Sequence, residues 1–467
     1  MRGALDAWIE RQLAVSTGRL LAAVSATGLS RPGPRIGQVM RPARGSVLAA
    51  PKPVPGKDEP DYFFHWYRDA AVVMGALVAL YRQGRLPESG RGRFAESVAF
   101  DWGLRRIDGP AVLARESWPP TTIPFLQPHV RPRAEVEALR GPAVAADVRC
   151  NPDGTIDLLL WSRPQHDGPA MRALTTMRML EAGALADERD RRRAEKLLLS
   201  DLRFCLSRHT VPCFDPWEEE LGHHFYTRLV QHAALRRGAA WTGNAGHPRL
   251  AARFAAAAEA LAEALASHWS EADGYYRSRL PGPTVTAAKS LDSVVLLAVL
   301  HAGLADGPFS VADPRVEATV TKLEAFFAAT MPANAGRKPG DGLILGRYEG
   351  DTYFDGGAFL PCCWALAEYR YRRGERARGD AVLEFLRGFL PESGLLPEQL
   401  DRATGAPRSA RDLAWSHAAF VTAAEALAAP GAAAAIHAGG APTGPETGGS
   451  EAPRSAGGSG CPVQSGR

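Results

Sequence analysis

Twelve helix-length segments alternate along this chain between two kinds, and the alternation limits what it can fold into. A helix that is apolar all round must be buried, whereas one with a single apolar stripe covers something else. The fully apolar kind comprises the segment ending near Gly84, Met171–Ala182, the stretch holding Leu229, Val230, Ala233 and Leu235, then Leu291–Ala302, Phe359–Tyr371 and a last one fading near Ala429. The one-sided kind comprises about Ala4–Ala26, Phe94–Arg106, a helix capped by Asp187, Pro248–Trp269, a helix opened by Asp313 and Pro314, and about Glu375–Leu390. Six inner helices ringed by six outer ones satisfy both demands, as αα-hairpins closed into a toroid. The expectation is an all-α barrel over residues 1–429, followed by an Ala/Gly/Pro/Ser-rich tail, 430–467, too poor in large apolar residues to fold. Residues 107–152, rich in Pro and without a sustained period, read as a long surface excursion.

In such a ring the inner helices run parallel, so their N-termini share one rim. Segments dense in Trp, Tyr, Arg, Asp and Glu precede inner helices at 61–69, 153–168, 214–224, 343–357 and 394–411. They therefore converge on one mouth although they lie far apart in sequence. Aromatic faces among carboxylates and guanidinium forks suit a sugar, whose C–H face stacks on rings and whose hydroxyls bond to Asp and Arg. Glycoside hydrolysis needs two carboxyl groups flanking the glycosidic oxygen, about 6.5–9.5 Å apart if the anomer inverts. Glu218 in DPWEEELGHHF offers one and Glu398 in LPEQLD the other. Asp215, Glu218, Glu219 and Glu220 crowd around Trp217 where a helix is expected to begin, so repulsion and burial should leave at least one of them protonated near neutrality.

Composition narrows the field. With 45% hydrophobic residues in 467 and a net charge of +4, the chain has ample material for a core and no basic stripe for nucleic acid. No uncharged run is long enough to span a bilayer, and Asp6 and Glu10 interrupt any leader-like segment. The six cysteines lack metal-ligand spacing and fit a reducing compartment, so the expected location is the cytoplasm. His223, His224 and His232 have no Cys or carboxylate spacing to complete a metal site, and Asp153-Gly154 reads as a turn rather than a calcium loop. No metal or cofactor is expected.

Five motifs, in order, carry a resemblance: DYFFHWYRDA, NPDGTIDLLLWSRPQHDGPA, WEEELGHHFYTRLVQHAAL, GRYEGDTYF and LPEQLDRATGAPRSARDLAWSHAAF. The chain resembles the glucoamylase-type enzymes of glycoside hydrolase family 15 over about residues 5–428. The resemblance implies an (α/α)6 barrel and an exo-acting, inverting α-glucosidase that releases β-glucose from non-reducing ends of α-1,4-glucans or malto-oligosaccharides, without a cofactor. It implies Glu218 as general acid, Glu398 as general base and Glu219 as a substrate contact beyond the cleavage point. Arg68 and Asp69 match the pair gripping the terminal glucose, Arg347 the arginine on its other side, and Tyr62, Trp66, Trp161, Trp217 and Trp415 pocket-lining rings. Three positions depart from the pattern: Phe359 stands where tryptophan is usual in fungal members, His166 where RPQRDG has arginine, and His417 where tyrosine is usual. Trehalose or α-1,6-linked glucans are alternative substrates on the same scaffold, and a glucan-binding domain without turnover is the alternative outside enzymology. The expected partner is an α-glucan taken up by a monomer.

Overall fold

The helices that pack against one another side by side are Tyr67–Arg82, Asp167–Glu181, Phe225–Asn244, Val294–Ala302, Leu360–Arg372 and Ala414–Ala428, and the sixth closes on the first. The computed structural model describes residues 2–33, 39–115, 118–121, 124–280 and 289–429. These six inner helices are buried over almost their whole circumference; Leu360–Tyr371, for example, is buried without interruption. The outer helices are Arg2–Ala23, Glu88–Leu104, Glu188–Arg208, Pro248–Ala266, Pro314–Thr330 and Arg376–Arg387. Each shows the core one face only: Pro248–Ala266 buries Phe254, Ala257, Ala258, Leu261 and Leu265, spaced at three and four residues. Each large apolar side chain so buried contributes about 1.5–3 kcal/mol. The (α/α)6 barrel is therefore present, with helix ends a few residues from those expected.

Outer helices begin on side-chain caps where the sequence offers them. Asp187 accepts from the amides of Arg189 and Asp190 at 2.8 and 3.3 Å, and Asp313 from that of Arg315 at 2.8 Å. None of the six inner helices is capped by the side chain of its own N-cap residue. Short antiparallel strand pairs lead into several of them instead. His65–Trp66 pairs with Arg149–Cys150, Cys213–Phe214 with Leu221–Gly222, and Gln399–Leu400 is flanked by Ala358–Phe359 and Pro407–Arg408. Buried ion pairs tie the two rings: Arg172 on the second inner helix meets Asp201 of the outer helix behind it through two 2.8 Å bonds, and Arg370 meets Glu324 at 2.6 Å. Gly168 is required where the first two inner helices touch, because a Cβ there would stand 2.7 Å from the Cβ of Tyr67.

The excursion expected at 107–152 is more ordered than composition suggests. It contains helices at Gly109–Arg115, Arg133–Glu137 and Pro142–Ala145, and a small core of Leu113, Val136, Leu139 and Val144 with Ile156 and Leu158. Short helices spaced by prolines leave no sustained period, which is why the pattern concealed them. The tail at 430–467 lies outside the described residues. Among the described residues, no helix is long and apolar enough to cross a membrane.

Gly357 lies against the strand that follows Glu398: a Cβ there would sit 2.5 Å from the Leu400 carbonyl oxygen and 2.8 Å from Gln399 Oε1. Gly357→Ala is therefore expected to push the Ala358–Phe359 strand off Gln399–Leu400 and to cost about 1–3 kcal/mol in denaturant unfolding.

Candidate active site

At the rim where the inner helices begin, a cavity of about 720 Å³ opens, and all eleven residues singled out from the sequence line it. They are Tyr62, Trp66, Arg68, Asp69, Trp161, Trp217, Glu218, Glu219, Arg347, Glu398 and Trp415. Each of the five aromatic and charged segments contributes to this one wall. Glu218 and Glu398, 180 positions apart, open onto the same hollow.

Glu218 sits at the tip of a loop closed by the Cys213–Phe214 and Leu221–Gly222 pair, and the inner helix starts only at Phe225. Asp215 is the organiser of that loop. Its side chain accepts from the amides of Trp217, Glu219 and Glu220 at 3.3, 2.8 and 2.7 Å, and its carbonyl accepts from the Glu218 amide at 2.9 Å. Glu218 adopts a left-handed backbone (φ +66°), rare outside glycine and strained by about 1–3 kcal/mol. Its carboxylate accepts from Trp66 Nε1 at 2.9 Å, from Trp161 Nε1, and from Arg68 at 3.4 Å.

The repulsion expected among the four carboxylates is offset by cations from other segments. Arg279, buried below them, binds Glu220 at 2.7 Å and Asp292 at 2.9 Å and lies 4.0 Å from Asp215. Glu219 receives Arg347 at 3.0 Å together with Lys289 and the Tyr348 hydroxyl. Each member of the crowd thus has cationic company brought from distant segments, Glu218 through Arg68 at 3.4 Å. Three carboxyl groups in or beside the pocket are pushed up by burial. Burial raises Glu398 to about 7, against the pull of hydrogen bonds from Ser409 and Tyr62 and of the Arg347 charge. Burial likewise raises Asp292 to about 7 despite Arg279, and Asp69 to about 6 despite Arg68.

Glu398 is fixed by backbone on both sides: its carbonyl accepts from Leu360 at the start of the fifth inner helix, and its amide donates to Ala410, each at 2.8 Å. Its carboxyl accepts from Tyr62 at 3.1 Å, from Tyr353 at 3.4 Å and from Ser409. Arg347 is gripped by Asp351 and Glu219, which keep it protonated although burial opposes the charge. At the floor, Arg68 is held by Gln165 and Asp167, both at 3.0 Å, and its guanidinium carbon lies 5.5 Å from the centre of the Trp415 ring. Three buried floor atoms have no hydrogen-bond partner in the protein: Arg68 Nε, Asp69 Oδ2 and Trp415 Nε1. Trp217 donates its Nε1–H to Asp292 and packs edge-on against Phe359, with ring centres 5.1 Å apart.

Sequence reasoning missed Arg149, Arg279, Tyr353 and Ser409. Tyr353 and Ser409 both lay inside quoted motifs, Ser409 eleven residues from Glu398, but neither pairing has a periodic signature. The departures fall into two groups. Phe359 lines the cavity, whereas His417 bridges Ser16 at 2.9 Å and Asp412 at 3.1 Å, joining the first helix to the last, and His166 stacks edge-on against Phe204. His224 and His232 face backbone carbonyls, as structural histidines do. Asp153 closes a turn by accepting from the amide and hydroxyl of Thr155 at 2.9 and 2.7 Å.

The profile of glycosyl hydrolases family 15 matches residues 31–102, 155–380 and 375–425. The glucoamylase of Blastobotrys adeninivorans is 27% identical over 451 residues, which span 82% of this chain and 67% of that one. Glucoamylase 1 of Rhizopus oryzae is 25% identical, over 92% of this chain and 72% of its own. The family 15 glucoamylase structure from Hypocrea jecorina superposes with a TM-score of 0.73 at 20% identity, covering 91% of this chain and 72% of that chain. The Hormoconis resinae glucoamylase gives 0.72 at 24%, covering 94% and 77%. At these identities the superpositions speak for the fold.

Should Glu398 be the base that the resemblance implies, activity falls as pH drops through its raised pKa, because a base must be ionised to work. In kcat/KM against pH, the ascending limb is expected near 7. The Ser409 hydrogen bond stabilises the ionised form, so Ser409→Ala is expected to move that limb to higher pH. A limb that stays in place or moves down would remove Ser409 from this role.

Proposed function

The chain belongs to glycosyl hydrolases family 15 and is a glycoside hydrolase of the glucoamylase type, and we propose that it cuts single glucose units from the non-reducing ends of α-1,4-linked glucans with inversion at the anomeric carbon. One observation carries the reading: two carboxyl groups with separate hydrogen-bond shells open onto one pocket whose lining includes the buried Arg68, Asp69, Trp217 and Trp415, which we read as its closed end. A closed floor takes a chain end rather than a chain middle. Arg68 Nε and Asp69 Oδ2, an ion pair at 3.7 Å, and Trp415 Nε1 have no hydrogen-bond partner; they are a donor, an acceptor and a donor, a set suited to the hydroxyls of a terminal glucose.

In this reading Glu218, protonated, gives its proton to the glycosidic oxygen as the C1–O bond breaks. Glu398, ionised, takes a proton from a water whose oxygen bonds to C1 from the other face. The products are β-glucose and a glucan shorter by one unit, and solvent returns the proton from Glu398 to Glu218. The hydrogen-bond shells favour both transfers. Once its proton has left, Glu218 faces three waiting donors in Trp66, Trp161 and Arg68. Burial makes Glu398 a stronger base toward water than an exposed carboxylate. Glu219, already shared among Arg347, Lys289 and Tyr348, is a contact for the leaving part of the chain. No metal or cofactor takes part in this scheme.

For the setting, the five described cysteines are unbonded and buried, which supports a reducing, cytoplasmic location. The substrate there is a soluble oligosaccharide or glucan.

Two measurements test the proposal. Maltotriose, isomaltose and trehalose are offered in parallel and the released anomer is followed by NMR; maltotriose is expected to react fastest and to yield β-glucose first. Early α-glucose, or a preference for trehalose, would overturn it. Glu218→Gln is expected to keep substrate binding and to lose kcat by about 100-fold or more.

A further inference from the structure

Arg149 has no role in the scheme above, yet its setting is unusual for a guanidinium. It is 1% exposed and lies against three aromatic rings. Its guanidinium carbon lies 3.7 Å from the ring centre of Trp161, 4.1 Å from that of Phe64 and 4.6 Å from that of Trp66. Two of these rings, Trp66 and Trp161, are the ones whose indole N–H groups donate to Glu218.

The placement is built in from both ends. The strand His65–Trp66 pairs antiparallel with Arg149–Cys150, with Trp66 directly opposite Arg149, so backbone register delivers the arginine to the indole. The Tyr67 amide donates to the Val148 carbonyl at 3.1 Å and extends the same ladder into the first inner helix. At the other end, Arg149 Nε donates to Asp157 Oδ2 at 2.8 Å, and Arg163 donates to the same oxygen at 2.8 Å. Asp157 is itself 1% exposed; burial pushes it up, but Arg149 and Arg163 hold it below the usual carboxylate range. Arg149 Nη1 is buried with no hydrogen-bond partner in the protein, so the group is held by its bond to Asp157 and by the surrounding rings.

The indole in need of support is Trp161. It is 37% exposed and follows Leu160, which is 48% exposed, on a rim segment that is not part of a helix. An indole that wet, on such a segment, is free to rotate unless something holds its face. A buried guanidinium against the ring face favours one position of the indole over others. Arg149 touches neither carboxyl group in the described contacts; it acts through the rings.

We propose that Arg149 is a positioning residue for glycosidic bond cleavage: wedged against Trp66 and Trp161, it aims the two indole N–H donors that orient the carboxyl group of Glu218. The inference rests on the assignment of Glu218 as the proton donor. A misoriented donor matters in proportion to how much the leaving group needs a proton. An alkoxide leaving group needs it fully, whereas fluoride leaves with little help.

The test compares maltose with α-glucosyl fluoride in Arg149→Met, Arg149→Lys and Trp161→Phe. Arg149→Met is expected to lower kcat on maltose about 10–100-fold and to change kcat on the fluoride less than about threefold. Arg149→Lys, which keeps a charge but not a planar stacking face, is expected to fall between Met and wild type. Trp161→Phe removes one N–H and is expected to show the same selective loss. The double variant Arg149→Met/Trp161→Phe is expected to lose less than the product of the two single losses, because both act on one donor. Equal losses on the two substrates, a loss confined to KM, full additivity in the double variant, or failure of even Arg149→Lys to fold would each overturn the proposal in favour of a purely structural arginine. Should the wild-type protein hydrolyse the fluoride but not maltose, the assigned reaction fails instead, and the two failures are thereby told apart.

Discussion

Closure of the inner ring is the constraint on which everything else in this molecule rests. Once six buried helices close on one another, their starting ends share a rim, and each starting end carries roughly half a positive charge from its aligned peptide dipoles. Here none of the six is neutralised by the side chain of its own cap residue. The rim is consequently a place where carboxylates are held at reduced cost, and the chain puts Asp69, Glu218, Glu219 and Glu398 there. Arginines placed among them divide the work. Arg279 and Arg347 serve the loop around Glu218, Arg68 serves the floor, and Glu398 is left buried with neutral hydroxyl donors. Two carboxyl groups in one pocket thus acquire different surroundings, which acid–base work requires.

Much of this was legible in the sequence because the fold obeys a repeating rule. Helical period, apolar content and the alternation between one-sided and all-round burial are local signals, and twelve of them in series leave few closed arrangements. The rim residues were legible for a second reason, since aromatic and charged segments recur just before buried helices. What stayed hidden is pairwise and non-local. The four acidic residues at 215–220 look mutually repulsive when read along the chain, because their partners Arg279, Lys289 and Arg347 lie some 60 to 130 positions away. Arg149 lies in a stretch that reads as surface loop, and only the two-residue pairing with His65–Trp66 shows that it belongs beneath the pocket. Ser409 carries no mark of its own; a serine becomes informative only when the strand Pro407–Arg408 folds back beside Gln399–Leu400 and brings it to Glu398.

The departures from the family pattern sort themselves once depth is known. His417 and His166 sit among packing contacts, where a change of side chain is answered by neighbours such as Asp412 and Phe204. Phe359 differs, because it lines the hollow and supports Trp217 and Trp415 from the side at ring separations of 5.1 and 5.9 Å. A ring there without an indole N–H offers a sugar shape but no hydrogen bond. Discrimination between linkages at this wall must therefore come from its neighbours.

The left-handed main chain at Glu218 has a consequence for how this protein could change over time. At that position folding alone would choose glycine, and the glutamate persists against a conformational preference. If Glu218 is the proton donor proposed above, a descendant released from the need for turnover would gain stability by giving the side chain up. Thermal robustness and catalysis pull here in opposite directions at one backbone torsion.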